Sequence, residues 1–254
     1  MVILCDGMVR SGSTWSFNVA ANLLRACDPD RRVFGFYQEN PAVLASATRQ
    51  RRSHLVIKSH VLDPSSYEFC RTGAIKTVYT WRSPYDVVVS SIRMFGSTAE
   101  HWIGVVRAAL KTWRFHRATS SAHIVSYEAI VRNPCSEITG IAAYLGLSTE
   151  PEDERNIARA LSFKQLRRFS QHIAELEPGR VVRDNGYLFD RRTLLHANHI
   201  RNGSMGYGVK NLNDSQLLAI DAMLCEEGFA FLREPHRAAF LSRGRTYYAT
   251  RYST

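Results

Sequence analysis

Val2-Ile-Leu-Cys-Asp-Gly7, followed by Met8-Val-Arg-Ser-Gly-Ser-Thr14, is the stretch whose reading decides the fold. Val2–Cys5 is a short apolar run that stops at Asp6-Gly7, as a buried strand does. A Gly/Ser loop follows. From Thr14 to Ala26, apolar groups recur at helical spacing (Trp15, Val19, Leu23), with Phe17 and Leu24 alongside. The order is strand, loop, helix. Glycines let such a loop curl until successive N–H groups face one anion. The helix N-terminus adds partial positive charge. Ser11, Ser13 and Thr14 supply hydroxyls, and Arg10 can grip a phosphate with two N–H groups.

The loop is close to G-x-x-x-x-G-K-[ST], but Ser13 stands where the lysine belongs. That lysine reaches the β/γ-phosphates of a nucleoside triphosphate, so its absence speaks against γ-phosphoryl transfer.

Further along, His54–Lys58, Ala74–Trp81 and Ala122–Ser126 read as strands. Helices are predicted over Tyr85–Phe95, opened by Pro84, and over Glu100–His116, Ile138–Leu147, Glu152–Phe169 and Asp214–Glu226. Asn213 or Asp214 caps the last of these. Glu177–Asn213 reads mostly as loop. The end of the chain, with Arg243, Arg245 and Arg251, reads as a basic helix or a frayed terminus. Short strands alternating with helices predict an α/β fold, a central parallel sheet flanked by helices on both faces. Ligands then bind beyond the carboxyl ends of the strands. The loops after Cys5, Lys58 and Trp81 should therefore be neighbours in space. No repeat or composition shift divides the 254 residues, so residues 1–254 are expected to form a single domain.

With 33 Lys+Arg against 23 Asp+Glu, the chain carries a formal charge of +10. Such a balance reads as a solvated basic face or as a site for a polyanion. No RNP-type aromatic motif, zinc-finger spacing or helix-turn-helix pattern accompanies it, which favours a phosphorylated nucleotide over nucleic acid. The five cysteines are scattered, with no C-x-x-C pair. Reduced thiols in a cytoplasmic protein are the expectation. No basic leader and no run of about 18 apolar residues is present, so no membrane association is expected. No cluster of carboxylates or Cys/His has ligand spacing, so no metal is expected either.

Three motifs, in order, make the chain resemble the sulfotransferases that use 3′-phosphoadenosine 5′-phosphosulfate (PAPS). Val9-Arg-Ser-Gly-Ser-Thr-Trp15 is similar to that family's Pro-Lys-Ser-Gly-Thr-Thr-Trp, which binds the 5′-phosphosulfate. Arg10 stands for the usual lysine, and Trp15 for a tryptophan near the adenine. Ile57-Lys58-Ser59-His60 is similar to Lys-Thr-His, whose histidine is the general base. Thr80-Trp81-Arg82-Ser83-Pro84-Tyr85-Asp86-Val87-Val88-Val89-Ser90 resembles Arg-Asn-Pro-x-Asp-Val-x-Val-Ser, whose arginine and final serine hold the 3′-phosphate. Partial matches follow. Tyr127 and Phe163 correspond to adenine-packing aromatics. Arg201, Asn202 and Gly203 correspond to an Arg-Lys-Gly that completes the 3′-phosphate site, with Asn202 in place of its lysine.

The resemblance implies a P-loop NTPase-like sulfotransferase fold and PAPS as co-substrate, leaving as adenosine 3′,5′-bisphosphate. It also implies His60 as base, assisted by Lys58 and Arg10. The acceptor is expected to be a small molecule such as a natural product, taken at a hydroxyl or an amine. It would be selected by Phe34–Arg52, Met94–Trp113 and Gln171–His199, which mix aromatic and polar groups. The rival readings are a P-loop small-molecule kinase, a non-catalytic nucleotide-binding module and a basic nucleic-acid binder.

Overall fold

The structure, a computed structural model, describes residues 1–40, 43, 53–60, 62, 66–184, 186–198, 200 and 205–234. Strand β1 (Val2–Gly7) lies at the centre of a five-stranded parallel sheet. Helix α1 (Ser13–Cys27) leads to edge strand β2 (Arg32–Tyr37), and β3 (Ser53–Lys58) returns between β2 and β1. Helix α2 (Tyr67–Arg71) precedes β4 (Lys76–Trp81), which pairs on the other side of β1. Helices α3 (Pro84–Phe95) and α4 (Ala99–Thr119) connect to β5 (Ala122–Ser126) at the far edge, giving the order β2-β3-β1-β4-β5.

The sheet is parallel because every return is a crossover, and its inner strands are buried on both faces as that arrangement demands. Ile3, Cys5, Val56 and Val78 pack against α1 on one face. Tyr79 and Met8 pack with α3 and α4 on the other. The chain thus leaves β1 towards one face and β4 towards the opposite face. These adjacent strands form a switch point, where a crevice opens. The loops after β1, β3 and β4 lie side by side there, as the sequence predicts. Ser59 N–H reaches the Cys5 carbonyl at 3.2 Å, and Met8 N–H reaches that of Thr80 at 3.0 Å.

Helices α5 (Tyr127–Arg132), α6 (Pro134–Leu145), α7 (Pro151–Ala160) and α8 (Phe163–Gln171) follow β5. The single helix expected over Glu152–Phe169 is two helices. Ser162 adopts an extended conformation (ψ 149°) and starts α8 afresh, which changes direction just before Phe163. The expected loop over Glu177–Asn213 contains an antiparallel hairpin, β6 (Val181–Asp184) and β7 (Tyr187–Asp190), and a short helix α9 (Tyr207–Asn211). Strand β2 had no predicted counterpart. Helix α10 (Asp214–Glu226) begins at Asn213, which forms a capping box with Gln216. The basic terminus with Arg243, Arg245 and Arg251 lies outside the described residues.

Gly7 ends β1 with φ 153°, and a Cβ there would stand 2.3 Å from the Thr80 carbonyl oxygen. The loop cannot enter its turn beside β4 with a larger residue. Gly7→Ala is expected to lower stability by about 1–3 kcal/mol through overpacking, read as a fall in the urea midpoint at unchanged slope.

Candidate active site

The crevice beyond β1, β3 and β4 is one cavity of about 980 Å³. Loop residues Arg10, Gly12, Ser13, Thr14 and Trp15 line it. Lys58 and His60 enter from the end of β3, Arg82 from the end of β4, and Ser90 from the second turn of α3. Tyr127 and Phe163 close the side towards α5 and α8. Residues dispersed from Arg10 to Phe163 in sequence therefore share one space.

Each is held by a specific contact. Arg10 has φ 65°, an uncommon conformation for a side-chain-bearing residue. Its Nε donates to Ser90 Oγ at 2.9 Å. Gly12 has φ 103°, and a Cβ there would meet Ile130 at 2.9 Å. The first N–H groups of α1 have no partner within the helix, as at any helix start. Ser11 departs from the sequence reading. Its hydroxyl is fully buried and donates to the Met8 and Thr80 carbonyls at 2.6 and 2.9 Å, fastening the loop to β4 rather than lining the cavity.

Arg82 is 7% exposed, and its guanidinium lies over the Tyr127 ring, 4.0 Å from the centroid. It also pairs with Asp86 at 3.2 Å, the i,i+4 contact that a helix start offers. Asp86 does more than neutralise Arg82. It accepts the Gly208 N–H at 2.6 Å and the Gly206 N–H at 3.0 Å. Phe163 meets Tyr127 edge-on at 5.9 Å. Arg201, Asn202 and Gly203 lie outside the described residues, immediately before the segment that Asp86 secures.

Electrostatically the cavity is a crowd of cations. Burial, then the Arg10 charge, pushes the Lys58 ammonium down to about 8. Burial and the Lys58 charge push the His60 imidazole down to about 3. At neutral pH that ring is uncharged. Its Nδ1 lies 3.0 Å from the Gly7 carbonyl oxygen. A carbonyl only accepts, so the proton sits on Nδ1 and Nε2 carries the lone pair.

All three stretches expected to select an acceptor reach this cavity. Gly35, Phe36 and Tyr37 come from β2, and Met94, Phe95, Trp102 and Val105 from the α3–α4 corner. Val182, Asp184, Phe189 and His196 come from the hairpin and its continuation. Residues 41, 42 and 44–52 lie outside the described set. Arg93 lies just outside the stretches named from sequence, and Asp184, Arg191 and His196 lie inside Gln171–His199 without having been singled out. Of these, the hairpin had a readable signal, the Asn185-Gly186 dipeptide between two apolar runs.

A parallel sheet with a glycine-rich anion loop at its switch point defines a P-loop-type nucleotide-binding protein. The model of the sulfotransferase domain matches residues 3–192, and the chain belongs to that family. No curated protein matches the sequence. Among solved structures, retinol dehydratase in complex with retinol and PAP is 15% identical with a TM-score of 0.60, over 89% of this chain and 80% of that one. Its complex with androsterone and inactive cofactor PAP is 16% identical with the same score, over 92% and 82%. Mouse sulfotransferase SULT7A1 complexed with PAP is 15% identical, TM-score 0.59, over 95% and 88%. Among the described residues, no helix is long and apolar enough to cross a membrane.

Removing the Asp86 carboxylate strands a buried guanidinium and releases two N–H groups at once. Asp86→Ala is expected to cost about 3–5 kcal/mol of stability in urea unfolding, and Asp86→Asn less.

Proposed function

We propose that this protein moves the sulfonyl group of PAPS to a hydroxyl or amine of a small-molecule acceptor, with His60 as general base. The observation that carries the reading is the convergence of Arg10, Lys58, Arg82 and Ser90 beside an imidazole whose Nδ1 is occupied by the Gly7 carbonyl. The Lys58 ammonium, lowered by burial and by the Arg10 charge, is stabilised by a ligand of high negative charge. A nucleotide with phosphates at the 5′ and 3′ positions of one ribose suits two neighbouring anchor points, Arg10 with the α1 N-terminus, and Arg82 with Ser90. Tyr127, Phe163 and Trp15 offer an aromatic cleft for its base. The solved relatives complexed with PAP share the fold and support the choice of nucleotide. Ser13 in place of the phosphate-binding lysine supports sulfonyl over γ-phosphoryl transfer.

PAPS supplies a sulfonyl group already joined to a phosphate leaving group. His60 Nε2 accepts the acceptor's proton while the acceptor oxygen or nitrogen bonds to sulfur and the bridging S–O bond breaks. General-base help of this kind contributes about 10²–10⁴-fold. Lys58, Arg10 and the loop N–H groups would stabilise the negative charge that collects on the departing phosphate. The aromatic and aliphatic side chains that line the cavity with His60 favour a small, part-apolar acceptor.

Calorimetric titration with adenosine 3′,5′-bisphosphate, beside ATP with magnesium, tests the donor. Tight magnesium-independent binding that Arg82→Ala destroys is expected; preference for ATP with magnesium would replace this reading with a kinase. His60→Ala should keep bisphosphate affinity and lose turnover by at least about 10²-fold.

The pH profile is a separate check. kcat/KM for PAPS reports the enzyme before the nucleotide binds, in which His60 is neutral above about 3 and Lys58 loses its proton near 8. With a non-ionising alcohol as acceptor, kcat/KM should stay level from about pH 5 to 7 and decline as pH rises through about 8. A decline below about pH 6.5, the ordinary histidine value, would contradict the buried neutral base.

A further inference from the structure

The surplus of positive charge has a place on the molecule. Several exposed arginines have a carboxylate beside them: Arg31–Asp28 at 3.3 Å, Arg71–Glu68 at 2.6 Å, Arg107–Glu226 at 2.7 Å and Arg155–Glu152 at 2.7 Å. Helix α8 and the turn after β7 differ. Lys164, Arg167 and Arg168 are exposed on α8, Arg191 and Arg192 on the turn, and Arg25 on the last turn of α1. None of these six forms an ion pair among the described residues. The buried acid of the turn, Asp190, is taken up by Arg180 at 3.0 Å and does not offset them.

The six share one side of the molecule. Burial, then the Arg192 charge, lowers the Arg25 guanidinium from its ordinary value, so these two are neighbours. Asn18, two turns earlier in α1, donates to the Thr193 carbonyl at 2.9 Å and holds the turn against that helix. The Asn198 N–H meets the Ser170 carbonyl at 3.0 Å, and Arg180 stands 5.9 Å over the Phe169 ring, so α8 lies along the hairpin and its continuation. Inward residues of the same elements line the cavity: Phe163 and Leu166 from α8, and Arg191, Leu194 and Leu195 from the turn. The other five cations do not line it. They stand outside the wall whose inner side carries Phe163. Exposed carboxylates on the hairpin and the approach to it, Glu175, Glu177 and Asp184, are outnumbered.

We propose that this cluster is an electrostatic approach to the cleft: it draws in a nucleotide bearing two phosphates and sets how fast it binds, without holding it once seated. This rests on the reading of the cavity as the nucleotide site. Unpaired like charges make a field that reaches about 10 Å at 0.1 M salt. Fields of one sign at a cleft raise on-rates by about 10–10³-fold. Charges at a rim change association and its salt dependence, whereas charges in contact with the ligand change dissociation.

The test follows association of adenosine 3′,5′-bisphosphate with the full chain by stopped-flow tryptophan fluorescence, with Trp15 on the cavity wall as reporter. The variant carries Arg167→Gln, Arg168→Gln and Arg192→Gln. The control carries Arg31→Gln, Arg32→Gln and Arg71→Gln, which removes as much charge from beside the amino ends of β2 and β4, opposite the cavity. At about 0.01 M salt, where fields reach about 30 Å, the variant should bind about tenfold more slowly than wild type, and the control within about twofold of it. At about 1 M salt, where they reach about 3 Å, all three should bind at one rate, which also shows the variant to be folded. Arg192→Gln alone should give part of the slowing. Dissociation should be the same throughout. Equal slowing in the control would reduce the effect to net charge. An unchanged on-rate would make the three arginines bystanders, and a faster off-rate would make them direct contacts; each of these results overturns the proposal. No binding of the bisphosphate to wild type would overturn the donor reading instead.

Discussion

The buried carboxylate of Asp86 is the point on which the nucleotide side of the molecule turns. One side chain faces the Arg82 guanidinium and two backbone N–H groups, at Gly206 and Gly208. It therefore fixes a cation from the end of β4 and a segment more than a hundred residues later. Gly208 can come so close only because it has no side chain; a Cβ there would stand 2.2 Å from the Tyr85 carbonyl carbon. A charge so deeply buried is tolerated because it is paired and hydrogen-bonded. The i,i+4 spacing of Arg82 and Asp86 first suggests a simple helix-start ion pair. In three dimensions the same pair is a bracket for the site.

The sheet does the collecting. Parallel strands point their carboxyl ends the same way, so Arg10, Lys58, His60 and Arg82 arrive together although their loops are remote in sequence. Helices α1 and α3 then leave on opposite faces, and the space between their starts is the crevice. Burying cations together is unfavourable. Burial first, and the neighbouring charges after it, depress the Lys58 ammonium and the His60 imidazole. The binding site is thus built at some expense in stability, as sites that await a charged ligand commonly are.

The centre of the fold was legible in the sequence because its signals are local. β1, β3, β4 and β5 are dense apolar runs, Pro84 marks the start of α3, and Gly7 and Gly12 mark the loop. The periphery was not. β2 is an edge strand whose residues alternate between exposed and half-buried, with Gly35 placed where Phe17 would meet a Cβ at 2.5 Å. Gly35 interrupts its short apolar run, and its strand character comes from pairing with β3. The break at Ser162 was hidden because the helical pattern continues through it, while the backbone does not. Ser11 has the right residue type for an anion contact, but its hydroxyl is consumed by two carbonyls. His196 carries no motif at all; its place on the cavity wall exists only once the hairpin is folded back.

The two faces of the sheet carry separate apolar clusters, and the cavity draws apolar lining from each. Trp15 and Ile130 belong to the α1 side, whereas Val89 and Trp102 belong to the α3–α4 side. A nucleotide seated as proposed would reach from the cleft on one side to Arg82 and Ser90 on the other. It would then act as a rivet through two layers, coupling their unfolding as well as occupying a site. At a concentration one hundred times its dissociation constant, such a ligand adds about 2.7 kcal/mol to the folded state. The layers of the empty protein would then be freer to part than those of the loaded one, and the molecule would be most cohesive while it is at work.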